Sequence, residues 1–188
     1  MKLTLTLMLL FLTGLLLVSR VSLSDSDDDN DHHEYKFWQK KPGVKPVSNS
    51  LYQDECGSCH FAYQAGLLPS QSWQKIMATL DDHFGDNAEL DAADSTIISQ
   101  YLEKYSAEKS DYRRSVKLAR SSKKSQFPIR ITEIPYFVHE HDEIPSRLVK
   151  NNPKVVSLSQ CDKCHQTAEK GSFSEREILI PGYGKWDD

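Results

Sequence analysis

Cys56-Gly57-Ser58-Cys59-His60 and Cys161-Asp162-Lys163-Cys164-His165 are two copies of one pattern, C-x-x-C-H, and together they use all four cysteines of the 188-residue chain. Two thiols three positions apart reach the two vinyl groups of one porphyrin as thioethers. The histidine that follows is then placed to ligate the iron from one side. A structural zinc site made from the two pairs would not require a histidine after each second cysteine. Disulfides would leave both histidines unexplained, and a thioredoxin-type pair needs a strand-and-helix setting that the flanking residues lack. The pattern therefore points to two covalently attached haem c groups with their irons. Cys56, Cys59, Cys161 and Cys164 would attach them, and His60 and His165 would each take one axial position.

Composition agrees with bulky cofactors. Apolar residues make up 38% of the chain and charged residues 27%, which is lean for a core built from side chains alone. Ahead of the first motif, Lys2 precedes an apolar run from Leu3 to Val18, and the small residues Ser22 and Ser24 come before an acidic stretch. This reads as a signal peptide over residues 1–24. The apolar run is short against the about 20 residues of a membrane span, and no second run follows it. The expected product is soluble and periplasmic, without stable membrane insertion; a retained N-terminal anchor is the alternative.

Cleavage after Ser24 removes Lys2 and Arg20 and no acid, leaving 21 basic and 27 acidic side chains, a formal charge of −6. That balance is opposite to the basic excess that nucleic-acid binders use to neutralise phosphate. It suits a redox partner with a basic face.

Residues 25–46, with Asp25, the run Asp27 to Asp29, and Asp31 to Glu34, read as a disordered acidic leader. Two haem-binding halves are expected after it, over 47–110 and 127–188. Trp73, Ile76, Met77, Leu80 and Phe84 recur at helical spacing and predict a helix from Ser70 to Phe84, stopped by Gly85. Ile97, Ile98, Tyr101, Leu102 and Tyr105 predict a second from about Asp94, its N-cap, to Ser106. Between the halves, residues 111–126 carry Arg113, Arg114, Lys117, Arg120, Lys123 and Lys124 and read as a solvated helix or linker. Prolines at 128, 135, 145 and 153 then allow only turns and short helical pieces. No strand pattern stands out. The fold class is mostly α and loop-rich, a small c-type dihaem cytochrome with two haem-binding halves.

A sixth ligand at each iron separates an electron carrier from an enzyme with an open site. Met1 and Met8 fall in the signal, so Met77 is the one methionine available. His83 lies on the apolar stripe of the first predicted helix and follows His60 by 23 residues; it is preferred, with Met77 on the same stripe as its competitor. His139 and His141 are two apart and point in different directions in a helix or a strand. His141, four after Phe137 and three before Ile144, shares their face if the segment is helical, and it is preferred to His139. His32 and His33 sit in the polar leader.

These segments resemble the small periplasmic dihaem cytochromes c of bacteria. The likeness runs through Glu55 to His60, through Trp73 to Ala88 with Asp82-His83-Phe84-Gly85-Asp86, through Arg130-Ile131-Thr132, through Phe137 to Ile144, and through Cys161 to Gly171. It implies bis-histidine, low-spin centres with His83 and His141 as distal ligands, and partners such as a membrane cytochrome b and a small monohaem cytochrome c that binds oxygen. His139 is a departure close to the second distal position. The function expected is electron transfer by a non-enzyme. The alternatives are a dihaem peroxidase or small-ligand reductase with one open site, and a haem subunit of a larger redox complex.

Overall fold

The structure, a computed structural model, describes residues 41–186. The signal, the leader up to Lys40, and His32 and His33 lie outside them. The leader was expected to extend to Pro46, but Val44 is fully buried and its N–H donates to Gly171 O at 3.1 Å. Burying an isopropyl group and pairing its amide at once fixes this segment to the protein, so the packed chain starts earlier than its polar composition implied.

Helix α1 (Ser50–Gly57) is started by Asn49, whose side chain accepts from Tyr52 N, and it buries Tyr52. Helix α2 (Ser70–Met77) buries Trp73 and Ile76. It stops seven residues short of the predicted end: Thr79 leaves helical geometry, with its hydroxyl donating to Lys75 O and Ile76 O, and a short 3-10 turn (Leu80–Asp82) follows. A hydroxyl that bonds the preceding turn offers the backbone an alternative to further helix. His83 therefore sits in a tight turn. Its N–H donates to Asp86 O, Gly85 N donates to Asp82 Oδ1, and Phe84 takes φ +60°.

Helix α3 (Ala92–Lys104) buries Ile98, Tyr101 and Leu102. Its N-cap is Asp91 rather than the expected Asp94. The Asp91 carboxylate accepts from both Ala93 N and Asp94 N, satisfying two orphan donors of the first turn. The basic stretch forms helix α4 (Arg113–Lys124), and its inner face is Ser115, Leu118 and Ser122, all buried. Small side chains there let neighbouring backbone come close: a Cβ added at Gly66 would meet Ser115 Oγ at 2.6 Å.

Beyond α4 the helical pieces are short. Helix α5 (Pro135–His139) begins with proline at a position that needs no N–H, and α6 (Cys161–Cys164) is a single turn. A two-residue antiparallel hairpin, β1 (Leu179–Ile180) with β2 (Gly184–Lys185), closes the described chain, a small strand pair that the sequence pattern did not signal.

The larger core cluster joins Val44, Tyr52, Trp73, Ile98, Leu118, Ile134 and Phe137. A smaller one joins Leu148, Val149, Val155, Ile178 and Ile180, and Leu158 packs against both. Two polar links tie early to late segments: Gln64 Nε2, buried, donates to Ala168 O at 2.6 Å, and Tyr63 Oη, half-buried, donates to Ser159 O at 2.6 Å. No helix among the described residues is long and apolar enough to cross a membrane.

Candidate haem sites

Two clefts open in this body. The first, about 430 Å³, is lined by Cys56, Cys59, His60, Met77 and His83; the second, about 300 Å³, by Cys161, Cys164, His165 and His141. Both sizes suit a bound organic group. Ile131, Phe137, Leu158, Gln160 and Cys161 line both clefts, so the two share a wall.

Each motif reaches its cleft by the same local device. Helix α1 delivers Cys56 at its end, and the chain turns through Ser58 to Cys59 and His60. In the second motif α6 places Cys161 and Cys164 one turn apart on one side, and His165 follows in extended backbone, φ −89° and ψ 92°. All four cysteines are free. Burial pushes the Cys56 thiol up to about 11 and the Cys161 thiol up to about 12, and it raises Cys164 as well. Among the described residues no three His, Cys, Asp or Glu side chains converge to hold a metal ion, so the two cysteine pairs do not build one zinc site.

The histidines come together in pairs. His60 and His83 have ring centres 6.2 Å apart, and His141 and His165 also 6.2 Å apart. An imidazole nitrogen lies ~1.1 Å from its ring centre and a metal–imidazole bond is about 2.0–2.1 Å long. Two imidazoles on opposite sides of one ion therefore have centres about 6.2–6.4 Å apart. Both pairs have that spacing. His139 lies at the edge of the second cleft, its side chain 81% exposed beside Asp142. Met77 stays in the wall of the first cleft.

Hydrogen bonds set the tautomers. His60 Nδ1 donates to Phe61 O and His141 Nδ1 to Phe137 O, each at 2.8 Å. A carbonyl only accepts, so these nitrogens carry the proton and each Nε2 keeps a free lone pair. Burial holds His83, His141 and His165 below the usual imidazole range, His165 at about 4, with the neighbouring histidine adding to the effect for His83 and His165. Neutral imidazole is the ligating form. The Nδ1 of His165 is buried without a hydrogen-bond partner among the described residues, an unmet polar group of the kind a bound group accounts for. The donor set, the spacing and the neutral rings fit a haem iron in each cleft.

A family model for dihaem cytochrome c matches residues 52–173, well over half of the chain. The chain belongs to the dihaem cytochrome c family. Its cofactors are accordingly two haem c groups, each with its iron. This dihaem cytochrome c is similar to the dihaem cytochrome c of Shewanella baltica OS155, at 45% identity over 74% of this chain and 98% of that one, with a TM-score of 0.62. It is also similar to a dihaem cytochrome c from Rhodobacter sphaeroides, at 39% identity over 69% and 100% of the two chains, with a TM-score of 0.61. A second structure from that organism matches at 36% identity over 68% and 99%, with a TM-score of 0.55. Among curated proteins none matches this chain.

Several residues shape the sites through contacts that the sequence did not specify. Phe137 was legible as an apolar neighbour of His141 and as the start of a family-like segment, and its ring stacks on that imidazole at 3.9 Å and lines both clefts. Arg114 was one cation among six in a basic run. It bonds Tyr136 Oη, Glu140 and Phe173 O around the second cleft. Arg130 lies over the Phe84 ring at 4.0 Å, at the first cleft.

Proposed function

We propose that this dihaem cytochrome c is an exported, periplasmic electron carrier in which both irons are held between two imidazoles. His60 and His83 would hold the first haem, with Cys56 and Cys59 as its thioethers. His165 and His141 would hold the second, with Cys161 and Cys164. The observation that carries this reading is the 6.2 Å spacing found in both histidine pairs. With both axial positions filled, neither centre has a place for a substrate, which argues for electron transfer rather than an enzyme.

Bound haem supplies the one-electron ferric/ferrous couple, and the protein does the rest. The cysteines fix each porphyrin in its cleft, the Nδ1–H bonds of His60 and His141 aim each Nε2 inward, and burial keeps the rings neutral. The shared wall of Ile131, Phe137, Leu158 and Cys161 supports direct exchange between the two centres. Partners of this carrier would be other redox proteins, a membrane cytochrome b and a monohaem cytochrome c that binds oxygen, reached through an acidic mature surface.

The test is a pair of variants, His83→Ala and His141→Ala, expressed with haem-attachment machinery. Each should retain two haem masses while one centre becomes high-spin and five-coordinate in its absorption spectrum. Adding Met77→Leu to His83→Ala removes the replacement ligand nearest at hand. A fully low-spin spectrum in either variant would remove that histidine from the ligand set.

A further inference from the structure

The two histidine pairs share a spacing but not an orientation. The His60 and His83 planes lie 24° apart, whereas those of His141 and His165 lie 77° apart. The crossed arrangement has a local cause. His141 Nδ1 donates to Phe137 O at 2.8 Å, which fixes where the ring is anchored. The Phe137 ring lies face to face with the imidazole at 3.9 Å and 12°, which fixes its rotation. Phe137 itself is buried among the core residues and cannot turn freely. Phe173 packs edge-on against His165 at 5.3 Å and 69°. In the first pair no comparable face-to-face partner exists among the described residues: Tyr63 is tilted 41° from His60, and Phe84 is tilted 58° from His83.

An imidazole donates π density to iron through the orbital normal to its plane. Parallel rings feed the same iron orbital and split it from its partner. Crossed rings feed both and leave them nearly equal in energy. The first arrangement stabilises the ferric state more, so a crossed centre has the higher reduction potential. Greater burial of the second histidine pair acts in the same direction.

We infer that Phe137 is a positioning residue that holds His141 across the plane of His165, making the second haem electronically distinct from the first and the higher in potential. The inference rests on the bis-histidine reading above. Electrons entering at the first centre then settle on the second, through a wall to which Phe137 also belongs.

Electron paramagnetic spectra and a redox titration of the two-haem protein test this, alone and with Phe137→Leu and Phe137→Tyr. The wild type should give one rhombic low-spin signal and one strongly anisotropic low-spin signal. Phe137→Leu should convert the anisotropic signal to a less anisotropic one and lower the higher potential, leaving the other centre as it was. Phe137→Tyr, which keeps the ring, should retain both wild-type features. Two rhombic signals in the wild type, or an anisotropic signal and potential unchanged by Phe137→Leu, overturn the inference while leaving bis-histidine ligation standing. A high-spin centre in the wild type overturns the ligation reading, and this inference with it.

Discussion

Gly171 shows how much one residue can control. It has φ +73°, a Cβ there would lie 2.1 Å from Val44 O, and its own carbonyl accepts the Val44 amide. Left-handed backbone and contact with another backbone leave no side chain able to yield. Gly171→Ala should destabilise the holoprotein by at least about 2 kcal/mol, lowering its thermal midpoint in a calorimeter. Nothing near Gly171 in the sequence signals this contact, because Val44 lies in a segment that composition assigned to a leader. The haem motifs were legible for the opposite reason: attachment chemistry fixes cysteine, cysteine and histidine within five consecutive residues. His83 and His141 were legible as candidates from periodicity. The helical setting assumed for His83 was not, since Thr79 ends the helix before it.

Among the elements, α4 carries the second cleft. Arg114 joins it to α5 and to the C-terminal segment through Tyr136 Oη at 3.1 Å, Glu140 at 3.0 Å and Phe173 O at 2.7 Å. Arg114→Ala should cost about 2–3 kcal/mol, given what hydrogen bonds to a charged group contribute, and chemical denaturation would measure it. Glu140 gives the pH dependence of the same link. Burial raises its carboxyl pKa, but hydrogen bonds from Arg114 and Tyr136 outweigh that and hold it below the usual carboxylate value. A depressed folded pKa means the unfolded chain binds the proton first as pH falls. The stabilisation is complete above the ordinary value of 4.5 and is lost as pH drops through the folded one. Glu140→Gln should therefore show lower stability at neutral pH and a shallower loss toward acid, followed by denaturant midpoints across that range. The helical nature of α4 was open in the sequence because its buried face is made by Ser115 and Ser122 around one leucine, and hydrophobic periodicity does not register serines.

Across the whole molecule, the sequence pattern suggested two haem-binding halves, and residues from both stretches share one core. Ile134 and Phe137 belong to the same core as Trp73 and Ile98, and Leu158 bridges to the smaller cluster. The lean apolar composition is consistent with clefts in which haem supplies much of the missing interior. What spacing along the chain could not give was the tilt between the two rings of each histidine pair, 24° in one and 77° in the other, because it depends on turns whose hydrogen bonds are local but whose directions are set by tertiary packing. The central claim is that both irons are closed by a second imidazole. The direct measurement is the absorption spectrum of the ferrous protein, with two haems verified by mass, before and after carbon monoxide. An unchanged low-spin spectrum is the result required of a bis-histidine electron carrier, and a carbon monoxide-shifted band would contradict it by showing an open site fit for ligand activation.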